Sequence, residues 1–309
     1  MISREKKIKI FASNSVKTLA ENVSDRLGLE ISNMTVKKYS DGEIFVDIGE
    51  SVQNCTCLIF QSTCPPVNDN LMELLIIADA LKRDGAKKIV AVIPYFGYSR
   101  QDRKARSHDP ITAKLVTNLI TTSGICEIVT IDLHTSQLEG FFDIPVLHLH
   151  GQEILANYIK NSLSINNDFV VVSPDLGSIN RAKKFAVFLD NLPIVIVNKN
   201  RKKPNECEIT DIIGDVKNKK AIIIDDMIDT AGTLCNVADF LYKNGATDVF
   251  ACATHGILSG KALERINSSQ INKLFLLDTI PLDDSKTNKK ITAISTEKLL
   301  SKALEEIIF

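Results

Sequence analysis

KKAIIIDDMIDTAGT, residues 219–233, is the stretch on which the reading of this chain turns. AIII at 221–224 is an unbroken apolar run, the pattern of a strand buried on both faces of a parallel sheet. Asp225 and Asp226 therefore stand at a strand's carboxyl end, where open α/β sheets bind their ligands. Asp229, Thr230, Ala231, Gly232 and Thr233 then lead into a helix, and Gly232 allows close backbone approach. The free N–H groups of a helix start, with the hydroxyls of Thr230 and Thr233, suit a phosphate. Carboxylates just before them suit sugar hydroxyls or a metal. The plain alternative is an ordinary Asp-capped helix.

On either side the same strand–helix alternation repeats, the signature of an α/β layer fold. Toward the N-terminus, IKIFA at 8–12, CLIF at 57–60, KIVAVIPYF at 88–96 and EIVTIDLH at 127–134 read as strands. Residues 15–27, 68–86 and 110–124 read as the helices between them. From residue 151 a second, comparable run begins: helices at 151–163, 180–190 and 233–246, with strands at 169–175, 193–199, 248–256 and 272–280. The terminal STEKLLSKALEEIIF, 295–309, places Leu299, Leu300, Ala303, Leu304 and Ile307 on one helical face. At roughly 150 residues per domain, 309 residues suggest two domains, expected at 1–147 and 148–309 with the terminal helix packing back on the first.

With Lys plus Arg at 37 and Asp plus Glu at 38, the formal charge is -1, so no global basic field exists to hold a nucleic-acid backbone. An apolar share of 44% and a charged share of 24% exclude general disorder. The seven cysteines are odd in number and irregularly spaced, which reads as reduced and mostly buried thiols. Cys55 and Cys57 alternate along a strand and so face opposite ways, against a metal pair; Cys126 and Cys252 read as strand interior. No apolar stretch reaches about 18 residues, and the N-terminus lacks the apolar core of a secretory signal, so a cytoplasmic location is expected.

Two motifs excluded by inspection are the G-x-x-x-x-G-K-[ST] loop and a G-x-G-x-x-G after the first strand. A nucleotide, if bound, is held another way. YFGYSRQDRKARSHD at 95–109 follows a buried strand and concentrates Arg100, Arg103, Lys104 and Arg106, the right sign for polyphosphate, or for a solvated basic loop. DLHTSQLEGFF at 132–142 brings Asp132 and His134 to another strand end, where the imidazole serves either a metal or a buried hydrogen bond. In SPDLGS, 173–178, Asp175 stands at a strand end as a metal ligand or a cap of the next turn. NKNRKKPNECE at 198–208 reads as a polar loop carrying Lys199 and Arg201.

Together, YSDGEI at 39–44, YFGYSRQDRKARS at 95–107, DLHTSQLEGFFDIP at 132–145, SPDLGS, IIIDDMIDTAGT at 222–233 and ATHGILSGKA at 253–262 make the chain resemble the ribose-phosphate pyrophosphokinase family over nearly its whole length. The resemblance implies two similar type I phosphoribosyltransferase-like α/β domains with parallel-rich central sheets. It implies Mg²⁺-dependent transfer of the β,γ-pyrophosphoryl group of ATP, a co-substrate, to the 1-hydroxyl of ribose 5-phosphate. A homodimer is then the minimum unit, within the family's common hexamer. No nucleic-acid or membrane partner is implied.

Carried over by motif, Tyr39, Asp41 and Glu43 belong to a nucleotide loop lent across a dimer interface, and Arg100, Gln101 and Asp102 to the ATP side. His134 and Asp175 match metal-side residues. Asp225 and Asp226 match the pair that holds ribose hydroxyls, and Asp229, Thr230, Ala231, Gly232 and Thr233 the cradle of the 5-phosphate. Lys199 and Arg201 match a loop pair that stabilises transferred charge. The chain departs from the family at Gln53, where an Arg is common near an allosteric phosphate pocket, and at Ser178, Asn200 and Lys261. A phosphoribosyltransferase would share the 225–233 motif but leaves RQDRK, DLH and a second domain unexplained; a catalytically inactive, synthetase-associated regulatory protein is the other alternative.

Overall fold

The structure, a computed structural model, describes residues 7–203, 206–282 and 288–308, without side chains between 199 and 210. From Ile8 the chain runs β1 (Ile8–Ala12), α1 (Lys17–Leu27), β2 (Met34–Lys38), β3 (Ile44–Ile48), β4 (Thr56–Phe60), α2 (Val67–Arg83), β5 (Lys88–Ile93), α3 (Thr112–Ser123), β6 (Glu127–Ile131) and β7 (Val146–Leu149). It continues through α4 (Gln152–Leu163), β8 (Phe169–Ser173), α5 (Ile179–Phe188), β9 (Ile194–Lys203), β10 (Glu206–Ile213), β11 (Lys220–Ile228), α6 (Gly232–Lys243), β12 (Asp248–Gly256), α7 (Ala262–Ser268), β13 (Ile271–Leu277), β14 (Ile291–Ile294) and α8 (Glu297–Ile308). Contacts divide it into two units. The first takes the chain up to His150, then Thr279–Pro281 and the segment from Ser295 on; the second takes Gly151–Asp278 and Leu282–Ile294.

In the first unit, β1-β4-β5-β6-β7 form a five-stranded sheet, parallel throughout. Strand alternation sends Phe11, Ile59, Ala91 and Ile93 to one face, against Leu74, Ile77 and Leu81 of α2 and Val116 and Ile120 of α3. Ile10, Leu58, Val90 and Val92 pack on the other face against Leu19 and Val23 of α1 and Leu300, Leu304 and Ile308 of α8. Each such fully buried leucine contributes roughly 1.5–3 kcal/mol. β2 and β3 make a separate antiparallel hairpin whose turn is closed by Gly42 at φ +96°, a conformation glycine reaches without strain.

In the second unit the seven-stranded order is β10-β9-β8-β11-β12-β13-β14, parallel except for the β9–β10 edge. The chain passes from β8 to β9 on one side and to β11 on the other, so the strand order reverses between β8 and β11. That is where α/β sheets open a binding crevice. β11 also outruns its neighbour: pairing with β8 stops at Ile223↔Val172, while pairing with β12 continues to Ile228↔Gly256. Residues 225–228 thus project past the end of β8.

Both units are α/β with parallel-rich central sheets, as the sequence reading expected. Three local expectations are corrected. Of the polar loop expected at 198–208, the described residues 198–203 and 206–208 are antiparallel edge strand, with Lys199 paired to Ile209 and Asn200 to Glu208; an edge tolerates Lys and Arg, so charge concealed the strand. The helix expected from Ser15 opens with a 3₁₀ turn, Asn14–Val16, before α1. Cys126 is exposed rather than interior, because it precedes β6; its thiol donates to the Ile89 carbonyl over 3.2 Å. Cys57 does lie buried, and burial pushes its thiol up to about 12, leaving it unreactive. Among the described residues no helix is long and apolar enough to cross a membrane.

Candidate active site

The projecting end of β11 carries Asp225 and Asp226. Asp226 is buried and Asp225 half-buried, and the Asp226 N–H donates to Asp225 Oδ1 over 2.9 Å. Arg181, in the first turn of α5, places Nη1 3.3 Å from an oxygen of each. Burial, then the charge of Asp226, raises the Asp225 carboxyl above its ordinary 3.8, while Arg181 pulls the other way. Two crowded carboxylates under one guanidinium resist full ionisation and offer acceptors for a pair of hydroxyls.

The same guanidinium lies 3.4 Å from the Ser178 hydroxyl, and Ser178 donates its N–H over 3.0 Å to Oδ1 of Asp175. Asp175 therefore caps the 3₁₀ turn Leu176–Ser178, the plainer of its two readings, which leaves Oδ2 as a hard oxygen. The sequence named Asp175, Asp225 and Asp226 from separate motifs; the fold links them through Arg181, which no local pattern marked.

Beyond β11 the chain turns sharply. Ala231 takes φ +57°, the left-handed region that costs a non-glycine residue roughly 1–2 kcal/mol. The first bond of α6 runs from the Cys235 N–H to the Ala231 carbonyl over 3.0 Å. The N–H groups from Ala231 to Leu234 thus lack intrahelical acceptors and form an anion-binding end. The Asp229 side chain does not extend this cradle; its carboxylate accepts the hydroxyl of Ser259. Lys199 and Arg201 lie on β9, but their side chains fall outside the described residues.

In the first unit, Tyr39 stands at the tip of the β2–β3 hairpin, 56% exposed, its ring 5.7 Å from that of Phe45. Asp41 shapes this tip by accepting the Glu43 N–H over 3.0 Å. After β5, Gln101 caps the start of α3: its Oε1 accepts the Thr112 hydroxyl over 2.6 Å, and its carbonyl accepts the Ala113 N–H. Arg100 beside it is exposed. Asp102 accepts the Thr135 hydroxyl over 2.9 Å, so the loop after β5 is tied to the turn after β6. His134, half-buried, sits in that turn.

That turn is held by a residue the sequence reading missed. His148 Nε2 accepts the Leu133 N–H over 2.9 Å, which fixes the ring proton on Nδ1, facing Glu139. Asp132, at φ +40°, is steadied by the same bond and by His150, whose Nδ1 lies 3.2 Å from Oδ1. Asp132, His148 and His150 bring ligand-type atoms within 4.8 Å of one another. The His148 lone pair is already spent on Leu133, so this group fits a structural clasp better than a metal site.

Residues 8–124 match the model described as the N-terminal domain of ribose phosphate pyrophosphokinase, and residues 190–309 match the phosphoribosyl synthetase-associated domain. The chain is 52% identical over 308 residues to the ribose-phosphate pyrophosphokinase of Clostridium perfringens, covering 99% of this chain and 96% of that protein. It is 49% identical over 307 residues to that of Clostridium acetobutylicum, with 99% and 96% covered. A crystal structure of phosphoribosylpyrophosphate synthetase from Mycobacterium smegmatis superposes with a TM-score of 0.92 at 38% identity, over 98% of this chain and 99% of the other.

Proposed function

The chain belongs to the ribose-phosphate pyrophosphokinase family, and we propose that it transfers the β,γ-pyrophosphoryl group of ATP to the 1-hydroxyl of ribose 5-phosphate. The products are phosphoribosyl pyrophosphate and AMP. The observation that carries this reading is the projecting end of β11, where an acidic pair is followed directly by a strained turn and a helix start. Diol acceptors and phosphate donors lie in the order that a ribose 5-phosphate requires.

In this reading the N–H groups from Ala231 to Thr233 hold the 5-phosphate, with the Thr230 and Thr233 hydroxyls, and Asp225 and Asp226 accept from the ring hydroxyls. The 1-hydroxyl oxygen attacks the β-phosphorus and loses its proton. The bond from that phosphorus to the α,β-bridging oxygen breaks, and AMP leaves with the oxygen. No covalent enzyme intermediate is needed. Tyr39, Asp41 and Glu43, with Arg100, Gln101 and Asp102, serve the nucleotide, and the exposed hairpin tip supports a loop lent to a second copy. Lys199 and Arg201 stabilise charge as it shifts from ATP. His134 and Asp175 would serve as Mg²⁺ ligands, and the ion would screen the phosphate charge; Oδ2 of Asp175 suits a hard cation.

Product-resolved mass spectrometry with ATP, ribose 5-phosphate and Mg²⁺ tests the reading. Phosphoribosyl pyrophosphate and AMP in equal amounts are expected. ADP with a doubly phosphorylated ribose identifies an ordinary kinase instead, and a folded, metal-supplied chain without turnover fits a regulatory protein.

A further inference from the structure

Three consecutive carbonyls enter the phosphate turn, and all three are tied to one segment. Ile228 accepts the Leu258 N–H over 3.0 Å, and Asp229 accepts the Ser259 N–H over 3.1 Å. Thr230 accepts Nη1 of Arg265, from α7, over 2.7 Å. In a regular strand successive carbonyls point to opposite sides, so this arrangement forces the twist that Ala231 completes at φ +57°. The C=O and N–H of a trans peptide point opposite ways. Fixing the Asp229 and Thr230 carbonyls toward 258–265 therefore turns the N–H groups of Thr230 and Ala231 to the other side. Successive N–H groups turned one way, at a helix start, make an anion-binding concavity.

The side chains of the segment reinforce its backbone. The Ser259 hydroxyl donates to the Asp229 carboxylate, which keeps that negative charge engaged beside the cradle. A methyl group on Gly232 would stand 3.6 Å from Arg265 Nη1, so the guanidinium lies against the first residue of α6. Its hydrogen bond is charge-assisted, the stronger class, and it falls on the peptide next to the strained residue.

We propose that Arg265 and Ser259 are positioning residues for the 5-phosphate cradle: they act through the Thr230 carbonyl and the Asp229 carboxylate, and hold the turn in its anion-binding form before substrate arrives. This rests on the function proposed above and adds to it residues outside the 222–233 motif. Releasing Thr230 lets Ala231 relax out of the left-handed region, which disperses the N–H groups. The loss then falls on phosphate recognition and spares the nucleotide.

The test is a KM-against-kcat split, read with calorimetric titrations of ribose 5-phosphate and of ATP, on wild type, Arg265→Ala, Arg265→Lys and Ser259→Ala. For Arg265→Ala the expected result is about a tenfold weaker ribose 5-phosphate Kd and KM, with kcat at saturation and ATP affinity within about twofold of wild type. Arg265→Lys, which can still donate to the Thr230 carbonyl, is expected to recover most of the loss, and Ser259→Ala to show a smaller shift of the same kind. Unchanged ribose 5-phosphate affinity in Arg265→Ala beside an active wild type overturns the inference and leaves the proposed function standing. Equal loss of both ligands with a lowered melting temperature, unrelieved in Arg265→Lys, overturns it in favour of a general structural role. A wild type that neither binds ribose 5-phosphate nor forms product overturns both.

Discussion

Nη1 of Arg181 lies 3.3 Å from Oδ1 of Asp226, whose side chain keeps 5% of its exposure. The same nitrogen is as close to Asp225, so one guanidinium offsets two crowded carboxylates. Arg181→Ala leaves them without it and is expected to cost about 2–3 kcal/mol, below the full penalty of a buried pair because Arg181 and Asp225 retain some water. The cost shrinks from pH 8 to pH 5, as protonation of one carboxyl removes the repulsion. Urea unfolding at both pH values checks this; a cost that grows in acid counts against it.

Asp225→Asn separates stability from function. Burial and Asp226 raise this carboxyl above 3.8, so the folded state holds its proton more tightly than the unfolded chain. Its stability contribution is therefore complete below 3.8 and is lost as pH rises through the folded value. Asn, which does not titrate, is expected to be more stable than wild type by about 1 kcal/mol at pH 8, with the difference fading toward pH 5. Ribose 5-phosphate affinity is expected to fall in the same variant. Melting curves across that range, paired with titrations, read both effects.

Asp229→Ala is expected to weaken ribose 5-phosphate binding about tenfold while ATP binding changes little. A carboxylate beside a phosphate would repel it, but this one is engaged by Ser259 and organises the turn. Separate calorimetric titrations of the two substrates decide the matter. Parallel loss of both would mark Asp229 as a general structural residue.

Lys199→Ala and Arg201→Ala are each expected to slow the chemical step about a hundredfold, with ATP affinity within a few-fold of wild type. In the proposed reaction their interaction would strengthen as charge moves onto the leaving AMP, so it would belong to the transition state more than to the bound nucleotide. Single-turnover rates at saturating substrates, beside equilibrium ATP binding, separate the two. Weaker binding with an unchanged transfer rate would sink the assignment.

What could be read from the sequence was local. The apolar run before Asp225, the entry into a helix at Gly232 and the strand ends before Arg100 and Asp132 all lie within a few residues of their own signals. What escaped was long-range. Arg181 meets Asp225 across 44 residues, Arg265 meets Thr230 across 35, and Asp102 meets Thr135 across 33. Periodicity registers which face a residue takes, never which distant partner it finds. His148 escaped for a related reason: its strand, β7, is short, and a histidine in VLHLH signals nothing until Leu133 is beside it. The β9–β10 hairpin was hidden by its own charge.

The return of α8 to the first unit sets an order of events during synthesis. Leu19 and Val23 of α1, with the strand face they share, complete their packing only against Leu300, Leu304 and Ile308. A nascent chain emerging from the ribosome has made every strand of the first sheet, and the whole second unit, before α8 exists. At typical elongation rates that seam stays uncovered for on the order of ten seconds. The growing polypeptide thus carries an uncovered apolar face through the second half of its translation, and a chain cut before Glu297 would keep every strand of both sheets while leaving that face unsealed.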